Sequence, residues 1–196
     1  MAQSGGQAEW PLLLCANQQE WEAWLDANHL ESRGVRLQIA KKNAGLATVS
    51  YAEALESALC YGWIDSRKEA LDERSWVQRF GPRGKDSLWS EINREKAERL
   101  IAEGRMKPAG LQAIEAAKAS GRWDSAYKPQ SRGGLPAELE AAFAEHPQAK
   151  AFYDTLNSQN KYAIAFRIHN AKKPETRARK VEEFIRMLEN GEKIYP

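Results

Sequence analysis

Aromatic and cationic side chains are interleaved between Tyr61 and Asn93, and this mixture is the strongest chemical signal in the chain. Three of the seven tryptophans and six cations fall in the segment: Trp63, Arg67, Lys68, Arg74, Trp76, Arg79, Arg83, Lys85 and Trp89. Indole rings supply flat apolar surface, and guanidinium groups supply positive charge that also stacks on such rings. The composition therefore predicts a positively lined pocket with aromatic walls, suited to an anionic or amphipathic small molecule or peptide.

Seven residues of this segment form the candidate ligand-binding set. We expect Trp63 and Trp89 to stack on the ligand, and Arg79 and Arg83 to bind its charge, while polar neighbours orient it by hydrogen bonds. The complete set is Trp63, Asp65, Arg67, Arg79, Arg83, Trp89 and Asn93. The competing structural interpretation places the tryptophans in the hydrophobic core, because large indole side chains are highly buried on average.

Asp65 is the acid in this segment with the best case for catalysis, because it lies between an aromatic ring, Trp63, and a cation, Arg67. An acid in such surroundings can serve as a general acid or base. The alternative hypothesis is therefore an enzyme that uses Asp65 as acid or base beside Arg67 and Arg79, although a structural ion pair explains the same residues. No GxSxG elbow and no Ser–His–acid pattern is recognised, so no catalytic residue is assigned and a binding function is favoured.

Metal and nucleotide motifs are missing from the sequence. His29, His146 and His169 are isolated, without the HxxxH or HExxH spacing of metal sites. The Gly81–Asp86 segment contains a Gly-Lys pair, but its glycine spacing and its final Asp do not match a phosphate-binding loop. We therefore expect no metal and no cofactor, and at most a basic turn that meets an anion through Arg83.

A second cationic cluster lies near the C-terminus, between Lys161 and Val181. Seven cations are present there against one acid, Glu175. The cations of this basic patch are Lys161, Arg167, Lys172, Lys173, Arg177, Arg179 and Lys180. The patch supports a further hypothesis, an adaptor that binds nucleic acid or a protein. The alternative is a solvated surface, because Lys172 and Lys173 follow a helix C-terminus, where cations are favourable.

Hydrophobic periodicity divides the chain into an α+β half and a helical half. Alternating or short apolar runs predict strands over 11–16, 35–39, 63–68 and 74–80. Helical spacing with capping residues and opening prolines predicts helices that begin near Asn17, Ser50, Ser90, Pro108, Pro136, Pro147, Ser158 and Pro174. A hairpin around residues 71–73 predicts a small, mostly antiparallel sheet, so the expected fold class is α+β with an all-helical C-terminal half.

Two domains are expected from this division. Residues 10–123 hold the sheet, the aromatic and basic site and two following helices, and residues 136–192 hold a C-terminal helical domain. Residues 124–135 have the composition of a linker, and residues 1–9 are expected to fray.

Length, charge and cysteine content limit the class of protein. The formal net charge of this 196-residue chain is only +2, which is too small to predict nucleic acid or a membrane surface as its partner. Its two distant cysteines, Cys15 and Cys60, fit reduced thiols in a reducing compartment. The apolar run before Cys15 is short and lacks the cationic start of a signal sequence, so we expect a cytoplasmic protein without membrane insertion.

The order of several segments resembles the YdeI/OmpD-associated family, also called bacteriocin-protection proteins. Similar segments in the first half are Trp24-Leu25 with Asn28-His29, Tyr51–Leu55, Ala58–Asp65, Arg79-Phe80 with Pro82-Arg83, and Ser87–Asn93. The similarity continues through Glu98–Ile101, Gly104–Met106, Gly121–Trp123 and Ala171–Lys180. Together the segments extend from about residue 15 to residue 192.

The resemblance implies a soluble bacterial protein of the bacteriocin-protection or stress-response type, cytoplasmic or linked to the cell envelope. It carries over no catalytic residue. Gly84 departs from the family pattern, which has a basic residue after Pro-Arg, and this departure weakens an anion clamp at that turn. A binding protein for an anionic or amphipathic ligand is therefore the first hypothesis.

Overall fold

The computed structural model describes residues 10–128 and 134–196. Its strands are β1 (Leu12–Leu13), β2 (Val35–Ala40), β3 (Trp63–Ala70) and β4 (Ser75–Pro82). Its helices are α1 (Gln18–Asn28), α2 (Tyr51–Cys60), α3 (Glu91–Ala102), α4 (Pro108–Ala119), α5 (Ala137–Glu145), α6 (Pro147–Thr155), α7 (Ser158–His169) and α8 (Pro174–Glu189). The segment predicted to fray, 1–9, and residues 129–133 of the predicted linker lie outside the described residues.

The helix starts predicted from the sequence are confirmed by their caps. The side chain of Asn17 accepts a hydrogen bond from the backbone N–H of Glu20 (3.0 Å) at the start of α1. Ser50 and Glu53 form the reciprocal capping box of α2, with distances of 3.3 and 2.9 Å. Proline opens α4, α6 and α8, where its missing N–H leaves no helical hydrogen bond unmade.

The four strands form one sheet in the order β1-β2-β4-β3. β4 pairs antiparallel with both β2 and β3, in agreement with the predicted hairpin. β1 is shorter than the predicted strand and pairs parallel with β2, so the sheet is mixed rather than mostly antiparallel. The parallel pair arises because α1 carries the chain back between β1 and β2, and a helical crossover joins parallel strands. The fold class is α+β, as predicted.

The register of the sheet sorts its side chains onto two faces. The helix face packs on α1 and α2 and carries Val35, Leu37 and Ile39 opposite Phe80, Gln78 and Trp76. The far face carries Arg36 opposite Arg79 and Gln38 opposite Val77. Trp21 and Leu25 of α1 are fully buried above the helix face, so this side of the sheet contains the core.

A bulge in β3 changes which of its side chains share a face. Asp65 pairs with Phe80, but Lys68 pairs with Gln78, so three steps along β3 match two steps along β4. Strict alternation would place Lys68 on the face opposite to Asp65. Because of the bulge, Lys68 lies on the helix face and Glu69 lies on the far face.

The described chain divides into two compact units, residues 10–89 with 93–126, and residues 90–92 with 127–128 and 134–196. In the first unit α4 approaches the end of α2 so closely that a Cβ on Gly110 would lie 2.2 Å from the carbonyl oxygen of Cys60. The core of the second unit is built by Leu139, Phe143, Ala149, Leu156, Ile164, Ile168, Val181, Phe184, Ile185 and Leu188. Buried Asn160 accepts hydrogen bonds from the backbone N–H groups of Ile194 (3.0 Å) and Tyr195 (2.9 Å).

Among the helices of residues 10–128 and 134–196, none combines the length and the apolar content that a bilayer crossing requires.

Candidate functional site

Trp63 belongs to the hydrophobic core rather than to the wall of a pocket. The residue is 1% exposed, and its ring lies edge-on to Trp24 with 5.7 Å between ring centroids. Its Nε1–H donates to the backbone oxygen of His29 at 3.1 Å. A ligand therefore has no access to the face of this ring, and the stacking role expected of Trp63 does not fit its position.

Asp65 and Arg79 lie on opposite faces of the sheet. Asp65 pairs with Phe80 on the helix face, and Arg79 is the next residue along β4 and lies on the far face. The hydroxyl of Tyr51 donates to Asp65 Oδ2 at 2.9 Å, whereas Arg79 Nε binds Glu69 Oε1 at 2.5 Å. An enzyme with Asp65 as acid or base beside Arg79 needs both groups at one substrate, which this geometry does not provide.

Arg83 and Trp89 are two members of the predicted set that the structure brings together. The central carbon of the Arg83 guanidinium lies 3.7 Å from the centroid of the Trp89 ring. Arg83 Nη1 also donates to the backbone oxygen of Leu88 at 3.2 Å. Trp89 itself is only 3% exposed and packs on Trp123, with 4.8 Å between centroids.

The two remaining members of the set lie elsewhere in the first unit. Arg67 projects from β3 with its side chain 76% exposed, and its Nε lies 3.9 Å from Glu69 Oε1. Asn93 is half-buried in the first turn of α3. The seven residues are thus divided among the core, both sheet faces and α3, because neighbours along a strand alternate between faces.

A groove beside Trp76 combines an aromatic wall with clustered cations. It has a volume of about 480 Å³ and lies where β2 and β3 end and β4 begins. Its lining residues are Ala40, Lys41, Lys42, Lys68, Glu69, Ala70 and Trp76. We refer to it as the Trp76 groove. Its size is within the range of roughly 300–1,000 Å³ that small-molecule sites occupy.

Three lysines give the Trp76 groove its charge. Lys68 Nζ lies 4.2 Å from the centroid of the Trp76 ring, close enough for a cation–π contact. Lys41 Nζ donates to the backbone oxygen of Asp72 at 2.9 Å, and an ammonium group has two further N–H donors. Lys42 is exposed at the rim. The three lysines therefore line one groove with Trp76, Lys68 from β3 and the other two from the segment that follows β2.

The single acid in the groove lining, Glu69, is compensated by arginines on the far face. Arg79 Nε lies 2.5 Å from Glu69 Oε1, and Arg36 Nε lies 3.3 Å from Glu69 Oε2. The Glu69 side chain is only 16% exposed, so these contacts are weakly screened by water. The negative charge of Glu69 is thereby offset, and the groove presents the positive charge of its lysines to a ligand.

The Trp76 groove was missed by sequence reasoning for two structural reasons. Lys41 and Lys42 follow β2 directly, more than thirty residues before Trp76, and reach it because Ile39 pairs with Trp76. Lys68 reaches the same surface because the β3 bulge reverses its side. The available signal was the Lys-Lys pair directly after an alternating strand, and this pair was outside the predicted site segment.

The basic patch of the second unit is distributed over α7, the α7–α8 connection and α8. Two of its cations serve contacts within this unit. Arg177 Nη1 binds Glu138 Oε1 at 3.0 Å, and Lys161 Nζ donates to the backbone oxygen of Asp154 at 2.9 Å. Lys172 and Arg177 also line a groove of about 480 Å³ between α5 and α8. The other members, Arg167, Lys172, Lys173, Arg179 and Lys180, form no ion pair with another described residue.

Candidate metal ligands are scattered across the described chain. Within residues 10–128 and 134–196, no three His, Cys, Asp or Glu side chains come together as a metal-binding group.

Two family models match the chain, one in each half. Residues 13–113, just over half of the chain, match a domain of unknown function, DUF8412. Residues 134–191 match the family described as bacteriocin-protection, YdeI or OmpD-associated. The chain belongs to the DUF8412 family, and residues 134–191 are similar to the bacteriocin-protection family. Searches of curated proteins and of solved structures find no match.

The matched ranges correct the extent of the resemblance drawn from the sequence. The bacteriocin-protection family accounts for 134–191 rather than for about 15–192, and the N-terminal half matches the DUF8412 domain instead. All residues that line the Trp76 groove lie within the DUF8412 range, and all seven cations of the basic patch lie within residues 134–191, the range similar to the bacteriocin-protection family.

Proposed function

We propose that the DUF8412 domain binds an anionic, amphipathic small molecule or peptide end in the Trp76 groove. The ligand class is the one expected from the interleaved aromatic and cationic residues of the sequence. The position differs, because the groove uses Trp76, Lys41, Lys42 and Lys68 in place of the dispersed seven-residue set. The observation that carries the proposal is that three lysines, one of them stacked on a half-buried indole, line one groove with that indole and a compensated acid.

The groove suits such a ligand on physical grounds. An apolar body would cover the exposed part of Trp76 and gain roughly 25 cal/mol for each Å² of apolar surface removed from water. A carboxylate, sulfonate or phosphate at one end of that body would bind the lysine ammonium groups by charge-assisted hydrogen bonds. The loop that carries the lysines is held in place, because Arg74 donates to the backbone oxygens of Ala44 and Gly45, both at 3.1 Å. A site held this way loses less conformational entropy on binding.

The proposed binding activity fits a protein of the bacteriocin-protection type that acts by capturing a ligand rather than by transforming it. The cytoplasm is the proposed location, and fractionation with a tagged copy of the chain tests it. The family match of residues 134–191 supports the protective role. The Trp76 groove supports capture of a ligand as the way in which the protein protects.

Calorimetric titration with naphthalene-2-carboxylate, an anion with a flat apolar body, tests the groove. We expect saturable binding to the wild-type protein and at least about tenfold weaker binding to Trp76→Leu, as for an aromatic anchor. Trp10→Leu is the matched control, because it removes a half-buried indole of the same unit that does not line the groove. Equal affinities for wild type and Trp76→Leu, or equal losses in both variants, contradict the proposal.

A second candidate function is an adaptor that binds duplex nucleic acid through the basic patch. Lys172, Lys173 and Arg179 support it, since all three are exposed and form no ion pair with a described residue. If the patch contacts about four phosphates, the logarithm of the binding constant falls with the logarithm of salt concentration at a slope of about −3.6. Titration of a fluorescent DNA duplex at several chloride concentrations measures this slope, and a flat response removes the candidate.

A further inference from the structure

A small cavity at the opposite end of β4 is lined by cations from two parts of the first unit. Its volume is about 80 Å³. The lining comprises Arg83, Gly84, Lys85, Ser87, Trp89, Ala113, Ala116, Ala117 and Arg122. We propose that this cavity binds a tetrahedral oxoanion, phosphate or sulfate, either free or as the end group of a larger molecule. We refer to it as the Arg83–Arg122 cavity.

Arg83 supplies a positioned guanidinium to the cavity. Its central carbon lies 3.7 Å from the centroid of buried Trp89, so the planar group stacks on a fixed ring. The Nη1 bond to the backbone oxygen of Leu88 (3.2 Å) fixes its rotation in the plane. A guanidinium held in this way matches the geometry of phosphate and sulfate oxygens and loses little side-chain entropy on binding.

Arg122 completes the cavity from a distant part of the sequence. Its backbone N–H donates to the oxygen of Ala117 at 2.9 Å, which places it directly after α4. Its Nη2 lies 2.7 Å from Asp86 Oδ1, and the Arg122 side chain is 22% exposed. The carboxylate of Asp86 compensates one cation but is 73% exposed and therefore well screened. Together with Lys85 at the rim, the cavity has three cations, Arg83, Lys85 and Arg122, against one acid, Asp86. The net charge around the cavity is therefore positive.

The size of the cavity selects the ligand class. A water molecule takes a share of about 30 Å³ in the liquid, so the cavity holds the equivalent of two or three waters. This space accommodates a compact oxoanion beside the hydroxyl of Ser87, and it is too small for a nucleoside or a long apolar body. The ligand therefore differs from that of the Trp76 groove.

The two sites are also separated in space. Trp76 and Arg83 are seven residues apart along extended chain, or about 23 Å at 3.3 Å per residue. Variants at one site therefore leave the other in place, and each proposal can fail alone.

Two-dimensional NMR of the tryptophan indole N–H groups tests the cavity directly. The protein is titrated with inorganic phosphate at constant ionic strength set by chloride, and the Trp89 signal is identified from the spectrum of Trp89→Phe. We expect a saturable shift of the Trp89 signal while the Trp76 signal stays fixed. Methyl phosphate forms a second arm: similar binding of both probes assigns the cavity to a phosphate end group, and binding of inorganic phosphate alone assigns it to the free ion.

Three variants define the outcome. Arg122→Gln should weaken phosphate binding about tenfold, the effect of losing one charge-assisted hydrogen bond. Lys85→Met should weaken it by a smaller factor of about three, and because Lys85 is exposed this variant tests the cavity even if Arg122→Gln disturbs the fold. Arg67→Gln, which removes an exposed cation outside the cavity, is the matched control. A non-saturable shift, or equal affinities in Arg67→Gln, Lys85→Met and wild type, overturns the proposal.

Discussion

The ammonium of Lys68 lies 4.2 Å from the centroid of the Trp76 indole, across the antiparallel pair of β3 and β4. The contact depends on the bulge between Asp65 and Lys68, since regular alternation would have placed Lys68 on the far face. The ladder of the sheet then brings Lys41 and Lys42 to the same end of β4. A one-residue irregularity in an edge strand thus adds Lys68 to the cationic surface on which the proposed function rests.

Removal of Trp63 should affect stability and not ligand binding. Because the residue is fully enclosed, we expect Trp63→Ala to lower the free energy of unfolding by about 3–5 kcal/mol, through lost burial and the cavity left behind. Urea denaturation followed by circular dichroism measures the change. A variant as stable as the wild type would show that the ring is not in the core.

Neutralisation of Glu69 should destabilise the far face of the sheet. In Glu69→Gln, Arg36 and Arg79 keep their charges but lose their carboxylate partner, and we expect a loss of about 1–3 kcal/mol, between the values for exposed and buried ion pairs. Glu73→Gln in the adjacent exposed turn is the matched control. Equal midpoints of urea unfolding for the two variants would mean that the Glu69 contacts contribute nothing.

Glu56 should make stability fall in mild acid. Burial acts to raise the pKa of this carboxyl, but Lys96 (3.1 Å) and the neighbouring arginines outweigh burial and hold the pKa below its ordinary value of 4.5. Because the pKa is lower in the folded state, ionised Glu56 contributes to the free energy of unfolding. This contribution is complete above about pH 4.5 and is lost as the pH falls through the folded pKa.

Urea unfolding at a series of pH values tests the Glu56 effect. We expect the free energy of unfolding to decline less steeply below pH 4.5 in Glu56→Gln than in the wild type, because the variant cannot take up the proton. Parallel declines would assign the acid sensitivity to other carboxyl groups.

The two cysteines should resist thiol reagents in the folded protein. Cys15 and Cys60 are 2% and 3% exposed, and burial raises the pKa of each thiol to about 11. Little thiolate is present at pH 8, and a reagent cannot reach it. Reaction with 5,5′-dithiobis(2-nitrobenzoate) should release no thionitrobenzoate from the native chain and two equivalents after addition of guanidinium chloride. Rapid release of one equivalent from the native protein would contradict this.

Local sequence signals predicted most of the elements because their causes are local. Asn17 and Ser50 cap their helices in the way that their spacing from Glu20 and Glu53 indicates. The opening prolines of α4, α6 and α8 act through a fixed backbone angle that needs no tertiary contact. The parallel pairing of β1 was not predictable from so short a run, because it depends on the path that α1 takes.

The candidate site was less predictable because it depends on register. An interleaved pattern of tryptophan and arginine indicates an aromatic and cationic region, but it does not show which face each side chain occupies. Trp63 and Trp76 both lie on the helix face, one in the core and one at the end of the sheet. Arg122 lies about thirty residues beyond Trp89, and only the end of α4 brings it to the Arg83–Arg122 cavity.

The central claim is that lysine charge at the Trp76 groove selects an anionic ligand. The most direct test compares the affinities of naphthalene-2-carboxylate and its neutral analogue, 2-naphthalenemethanol, for wild type and for the triple variant Lys41→Met, Lys42→Met, Lys68→Met. Three exposed charges together should favour the anion by about tenfold in the wild type. We predict that this preference disappears in the triple variant while the neutral analogue binds both proteins alike. An anion preference that survives the triple substitution, or that is absent from the wild type, would contradict the claim.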